Sequence, residues 1–157
     1  MIPAAIGVDP AMTALRVFLR TLCLLGLSAA LAAAADAGRC RLLLLTGSNN
    51  HDWRATTPVL AAILRGAGPF AVEVLESPPC NAPDAALAAF RPNFKAYDAV
   101  VLHWNDYGVK DRKPAPWMDD LIAYVGDGGG LVVHHAADIE ANPAFMDLVG
   151  LAWRPAT

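Results

Sequence analysis

The chain has 157 residues, of which 55% are hydrophobic and 17% are charged, and its formal net charge is −3. This slightly acidic balance, with no run of lysine and arginine, argues against a nucleic-acid partner and against binding to an anionic membrane surface. The length is enough for one modest domain.

Residues 1–35 are interpreted as an amino-terminal extension followed by a secretory signal peptide. Arg16 and Arg20 precede a short apolar run at residues 22–27, and a tract of small residues follows at 28–35. A basic region, a short apolar region and a small-residue cleavage site are the three parts of an export signal. The alternatives are a retained membrane anchor or a buried alanine-rich helix.

Cleavage is expected after Ala35 or Ala37, and translation is expected to start at Met12 because the preceding residues match no part of a signal. The mature protein, residues 36–157, is expected to be a single domain that is secreted or periplasmic. No membrane partner is expected after cleavage.

Four apolar segments alternate with helical patterns in the mature part. Strands are predicted at residues 41–46, 70–75, 99–103 and 131–134, and helices from Thr57-Pro58 to Gly66, at 83–90, from Trp117 to Gly126 and from Asn142 to Gly150. This alternation predicts an α/β fold with an open, mostly parallel sheet, helices on both faces and right-handed crossovers.

Two cysteines remain after signal cleavage, and both are expected to be free thiols. Cys40 begins the first strand, whereas Cys80 follows the far end of the second. A strand of six residues spans roughly 20 Å, but a disulfide tolerates a Cα separation of only about 7 Å.

All four histidines stand at or just beyond the end of a predicted strand: His51, His103, His134 and His135. The carboxyl ends of parallel strands lie along one edge of an open α/β sheet, where ligand crevices form. The sequence therefore predicts one crevice to which three separate segments contribute.

The loop after the first strand carries Asn49, Asn50, His51, Asp52 and Trp53. It leads into a helix amino terminus, which favours an anionic or strongly hydrogen-bonding ligand group. The competing interpretation is that the asparagine and aspartate residues only satisfy turn geometry.

The third strand ends in His103, Trp104, Asn105 and Asp106, which combine a base, an amide, a carboxylate and an aromatic face. Such a set suits stacking on a carbohydrate ring or a nucleoside. His103 by itself is equally well explained as a satisfied core residue.

His134 and His135 are adjacent, and adjacent side chains of a strand point to opposite faces. One of them is expected to reach the crevice, and the other to pack beneath a helix or bond a backbone carbonyl. Three imidazoles with Asp52 or Asp106 would also suit zinc or another divalent metal. Since no His-x-x-x-His spacing occurs, no cofactor is predicted and a metal site remains an alternative.

Four segments together resemble the ThuA-like, or trehalose-utilisation, domain. They are residues 46–58, the strand ending at His103, residues 128–137 and residues 150–155. The resemblance implies a three-layer, flavodoxin-like sheet of the class I glutamine amidotransferase-like superfamily and a role connected with sugar metabolism. Secreted members of the family are often described as glycosyl hydrolases or carbohydrate-active proteins.

Within this resemblance, His51, Asp52 and Trp53 match the first-loop motif, and His135 with Ala136 matches the end of the glycine-preceded strand. Amidotransferase relatives carry a cysteine in the turn after that strand, where this chain has alanine. Cysteine-dependent amidotransferase chemistry is therefore not expected.

The ThuA-like domain normally continues beyond the segment that matches residues 150–155, whereas this chain stops at Thr157. The sheet is therefore expected to be incomplete on its carboxyl-terminal side, with an exposed apolar edge and weak stability.

The leading hypothesis is a secreted ThuA-like domain that binds or modifies a small sugar, with histidines as general acid and base and tryptophans as stacking surfaces. The alternatives are a non-catalytic sugar-binding or structural module and a metal-dependent hydrolase. The candidate catalytic residues are His51, Asp52 and His135, and the candidate substrate-binding residues are Asn49, Asn50, Trp53, His103, Trp104 and Asn105.

Overall fold

A computed structural model describes residues 38–79, 81–105, 115–137 and 142–150. The strands are β1 (Cys40–Thr46), β2 (Phe70–Glu76), β3 (Ala99–Leu102) and β4 (Gly130–Val133). The helices are α1 (Trp53–Gly66), α2 (Asp84–Ala89), α3 (Met118–Gly126) and α4 (Pro143–Val149), with short 3₁₀ turns at Phe94–Ala96 and His135–Ala137. The predicted signal peptide, Cys80, Asp106 and residues 151–157 lie outside the described residues.

The four strands form one parallel sheet in the order β2-β1-β3-β4. This order is that of a flavodoxin-like open sheet, in which the chain reverses its direction of winding beside β1. The predicted α/β class and parallel sheet are confirmed. No helix within the described ranges is long and apolar enough to cross a membrane.

Alternate residues of the central strands contribute to two separate apolar layers, one on each face of the sheet. Leu43 of β1 and Val100 of β3 pack on one face with side chains of α3 and α4. Leu44 and Val101 face the other way and pack against Ala61 of α1. Burial on both faces explains why these strands read as continuous apolar runs.

Helix α1 begins earlier than the sequence predicted. Thr57-Pro58 resembles a helix start, but the helix begins at Trp53 and Pro58 lies inside it. The Asp52 side chain caps the helix by accepting a hydrogen bond from the backbone N–H of Ala55 at 3.2 Å. An aspartate cap satisfies an N–H group that the first turn would otherwise leave unpaired.

The final helix follows its local signals closely. The Asn142 side chain accepts hydrogen bonds from the backbone N–H groups of Ala144 and Phe145, and Pro143 opens the helix. Gly150 ends it in the left-handed conformation, at φ 74°. Glycine adopts this conformation at little cost, and so it commonly terminates helices.

Two further expectations concern the Cys40 thiol and the edge of the sheet at β4. The Cys40 thiol is free, as predicted. Within the described residues β4 pairs with β3 alone, and the Val132 side chain on it is 53% exposed. This agrees with the expected apolar edge.

Candidate functional site

The four histidines lie together at the carboxyl edge of the sheet. The backbone N–H of His103 donates to the Leu45 carbonyl at 2.8 Å, which extends β3 beside β1. The N–H of His134 donates to the Leu102 carbonyl at 2.9 Å and extends β4 in the same way. His51 belongs to the loop that follows β1. The predicted convergence of three segments on one edge is therefore present in the structure.

An outer histidine pair is open to solvent. The His51 and His135 rings are exposed, with centroids 4.6 Å apart and planes inclined by 32°. His135 is the one non-glycine residue among those described that has a positive φ, at 51°. Its backbone turns away from the direction of β4, and its ring lies against that of His51.

An inner histidine pair lies beside the outer one. The His103 and His134 rings are perpendicular, with centroids 4.8 Å apart and their Nδ1 atoms separated by 3.1 Å. Nε2 of His103 lies 2.9 Å from the Thr56 hydroxyl oxygen on α1. His103 is only 2% exposed, whereas His134 is half-buried. The His134 ring is also 6.4 Å from that of His135, so the four rings form one continuous group.

Burial determines the charge of the inner pair. Desolvation lowers the pKa of His103, and the neighbouring His134, His135 and His51 lower it further by electrostatic repulsion. Desolvation also lowers the pKa of His134, with a smaller contribution from His135. Because the ordinary value is already below 7, both inner imidazoles are neutral at neutral pH.

Amide side chains organise the loops around the histidines. The Asn49 side-chain oxygen accepts a hydrogen bond from the His51 N–H at 2.9 Å. The Asn105 amide donates to the Asn50 side-chain oxygen at 2.8 Å, and the Asn105 backbone N–H donates to the Ser48 carbonyl at 2.8 Å. Asn105 is 2% exposed, so its side chain supports the loop from beneath.

Asp52 has a structural role that the sequence analysis did not assign to it. Its carboxylate caps α1, and the described residues show no hydrogen bond or ion pair between it and a histidine. As a candidate catalytic residue, Asp52 was expected to orient a histidine or a substrate hydroxyl; within the described residues it does not orient a histidine, and the contact with a substrate hydroxyl stays a prediction. The other carboxylate considered, Asp106, lies outside the described residues.

The two tryptophans do not offer the stacking surfaces that were expected. Trp53 is 9% exposed, and the Arg54 guanidinium lies over its ring at 4.2 Å. Trp104 is 7% exposed and packs edge-on against Trp117, with ring centroids 4.9 Å apart. Aromatic residues at strand and helix ends are as readily used for core packing as for binding, and the sequence did not distinguish the two.

Two buried N–H groups near this edge lack an acceptor within the described part of the chain. They are the side-chain amide nitrogen of Asn49 and the indole nitrogen of Trp104. A buried donor without a partner costs free energy. An oxygen atom of a ligand that reached either group would satisfy it.

The histidines pair with one another instead of converging on one point. No set of three or more His, Cys, Asp or Glu side chains in the described ranges is arranged to hold a metal ion. In the inner pair, both nitrogens of His103 already have partners, Thr56 and His134.

Two residues of this cluster were not among the candidate catalytic or substrate-binding residues: His134, which was expected at the strand ends but was given no role, and Thr56. The pairing of His134 with His103 follows from the register of β3 and β4, in which Leu102 pairs with Val133 and the next residues are His103 and His134. No local sequence pattern sets that register. Thr56 was missed because the predicted helix started after it, at Thr57-Pro58.

Comparison with known proteins identifies a related structure. A crystal structure of a protein from Parabacteroides merdae, described as ThuA-like, shares 36% sequence identity with this chain and superposes with a TM-score of 0.54. The match covers 64% of this chain and 33% of the other, so the chain spans about a third of that protein's length. No family model matches the sequence, and no curated protein matches it. The structural similarity supports a ThuA-like fold for this chain. It also supports the prediction that the chain is a ThuA-like domain protein.

Proposed function

We propose that this protein binds a small sugar or sugar derivative at the carboxyl edge of its sheet, with His51 and His135 as the acid and base groups. The observation that carries the proposal is the exposed ring pair, with centroids 4.6 Å apart. Two solvent-accessible imidazoles from separate segments can together contact one ligand. Imidazole both donates and accepts protons near neutral pH, which suits it to general acid and base catalysis.

A polyhydroxylated ligand fits the polar groups around this pair. Each sugar hydroxyl donates one hydrogen bond and accepts others. The Asn49 amide and the Trp104 indole are donors without acceptors in the described residues, but both nitrogens are buried, so a hydroxyl oxygen would reach them only after the covering side chains move. The resemblance to the trehalose-utilisation family directs the choice of ligand toward sugars.

Calorimetric titration with trehalose, sucrose and glucose tests this function. His51→Ala and His135→Asn should each weaken binding about tenfold or more, which corresponds to about 1.4 kcal/mol. Asparagine is chosen at residue 135 because it tolerates a positive φ. Lys95→Ala is the matched control. Lys95 lies on the turn that precedes β3, at the amino ends of the strands and away from the histidines, where it pairs with Asp127 at 3.3 Å.

The control should bind within about twofold of the wild type, a difference well below 1 kcal/mol. Failure of the wild type to bind any of the three sugars would contradict the proposal. Unchanged binding by both histidine variants would contradict the assigned residues. Elemental analysis of the same preparation tests the metal-dependent alternative, and less than about a tenth of an equivalent of metal would argue against it.

The proposal includes export, which Arg16, Arg20 and the short apolar run after them support. A sugar-binding protein outside the cytoplasm would meet its ligand there. Amino-terminal sequencing of the mature protein should then find Asp36 or Gly38 as the first residue. A mature protein that begins at Met1 or Met12 would contradict export by signal cleavage.

A further inference from the structure

We infer that Thr56 and His103 orient a hydrogen-bond chain that leaves Nε2 of His134 as a proton acceptor in the histidine cluster. The chain runs from His134 through His103 and Thr56 to the backbone carbonyl of Asp52. The four groups come from the end of β4, the end of β3 and the first turns of α1. In each hydrogen bond of this series, only one of the two atoms has a proton to donate.

The donor in each of these hydrogen bonds is determined by the last one, between Thr56 and the Asp52 carbonyl at the start of α1. The Thr56 hydroxyl oxygen lies 3.1 Å from the Asp52 carbonyl oxygen. A carbonyl can only accept, and a hydroxyl carries a single proton. The Thr56 backbone N–H donates to the same carbonyl at 3.1 Å, and a carbonyl oxygen has two lone pairs, so it can accept the hydroxyl proton as well. We infer that the proton points at the carbonyl, since otherwise two oxygen lone pairs would face each other at this distance.

The inner histidine continues the chain. Because the Thr56 proton is used, Nε2 of His103 must donate to the hydroxyl oxygen, 2.9 Å away. Burial keeps this imidazole neutral by lowering its pKa, so it carries one ring proton only. Nδ1 of His103 is then left with a lone pair.

The contact between the histidines fixes the last step. Two Nδ1 atoms 3.1 Å apart need one proton between them, and His103 has none to give at that position. Nδ1 of His134 must therefore donate. The lowered pKa of His134 keeps that ring neutral as well, so its Nε2 has a lone pair and no proton.

The consequence for ligand binding rests on the proposed function. His134 is half-buried and its ring centroid is 6.4 Å from that of His135, one of the exposed pair. A ligand held by the outer pair would meet a third imidazole that accepts a hydrogen bond from a hydroxyl and does not donate one. Thr56 and His103 are then positioning residues, and His134 is a third group, beside His51 and His135, that touches the ligand.

The tautomers can be measured directly, without any ligand. Long-range ¹H–¹⁵N correlation spectra of the ¹⁵N-labelled protein distinguish a protonated from an unprotonated ring nitrogen. At pH 7.5 the wild type should show His103 with its proton on Nε2 and His134 with its proton on Nδ1. His134→Gln and His103→Gln assign the signals. Protonation of His134 mainly at Nε2 in the wild type would overturn the inference.

Variants at Thr56 test what sets the direction. Thr56→Val keeps the shape of the side chain but removes the hydroxyl, which is the acceptor for the Nε2 proton of His103. The His103 proton should therefore move to Nδ1, where it is donated to His134, and the His134 proton should move to Nε2. Thr56→Ser keeps the hydroxyl and should retain the wild-type tautomers. Identical tautomers in the valine variant and the wild type would overturn the role of Thr56. Because the readout needs no sugar, absence of sugar binding would count against the proposed function and leave this inference intact.

Discussion

His135 determines the shape of the exposed side of the site. It follows the end of β4, and its positive φ of 51° turns the chain so that its ring contacts His51. Few non-glycine residues adopt this conformation, although histidine and asparagine do so more often than most. The identity of the side chain at this position therefore influences the backbone geometry at the end of β4.

This conformation predicts an unequal response to substitution. His135→Val should lower the free energy of unfolding by about 1 to 2 kcal/mol, because a β-branched residue is strained at positive φ. His135→Gly relieves that strain and should be no less stable than the wild type to within about 0.5 kcal/mol. Urea unfolding followed by circular dichroism measures both.

His51→Val is the matched control, since His51 is equally exposed but lacks a positive φ. It should change stability by less than about 0.5 kcal/mol. Equal stability of the valine and glycine variants at residue 135 would show that the backbone there is not strained.

At the scale of elements, the start of α1 organises the inner pair. Because the helix begins at Trp53, Thr56 lies in its first turns and reaches Nε2 of His103 at 2.9 Å. The adjacent Thr57 bonds the Thr46 hydroxyl of β1 at 2.7 Å, which ties the helix to the sheet. The Asp52 cap therefore supports the site without contacting a histidine.

Substitution of Asp52 tests this capping role. Asp52→Ala should lower the free energy of unfolding by about 1 kcal/mol. Asp52→Asn keeps a side-chain acceptor and should stay within a few tenths of a kcal/mol of the wild type. Chemical denaturation measures the difference. An alanine variant as stable as the asparagine variant would contradict the cap.

Local signals account for much of the predicted fold. The apolar runs located all four strands to within one or two residues, and the Asn142 cap and Gly150 located the last helix. The start of α1 was misplaced because Thr57-Pro58 is itself a plausible local start. Burial of Trp53 and the bond from Thr57 to β1 favour the earlier start, and these are tertiary contacts.

The site was predictable in outline for a different reason. The carboxyl ends of parallel strands meet at one edge, and so the convergence of the histidines followed from the fold. The pairing of His103 with His134 depends on the exact register of β3 and β4. The burial of Trp104 depends on its contact with Trp117, a residue that is distant from it in the sequence. Neither dependence is visible in a local pattern.

At the scale of the whole molecule, the histidine cluster couples stability to pH. The folded-state pKa values of His103 and His134 lie below the unfolded value, because of burial and the neighbouring rings. Below about pH 6.5 the unfolded chain therefore binds more protons than the folded one. The contribution of these two histidines to the free energy of unfolding is therefore fully present above that pH. It is lost as the pH falls toward their lowered pKa values in the folded protein.

The midpoint of urea unfolding should therefore fall as the pH is reduced from 7.5 to 5. In the variant carrying both His103→Gln and His134→Gln the slope over this range should be smaller, because the two groups with lowered pKa values are absent. A midpoint that is constant or rises on acidification would contradict neutral inner histidines. An equal slope in wild type and variant would assign the effect to other groups.

Titration of the protein with trehalose, sucrose and glucose, monitored by the ring ¹H and ¹³C signals of its four histidines, tests the sugar site most directly. We expect at least one of these sugars to shift the His51 and His135 signals saturably, with the signals of the turn around Lys95 unchanged. Unchanged His51 and His135 signals at saturating concentrations of all three sugars would contradict a sugar site at this edge of the sheet.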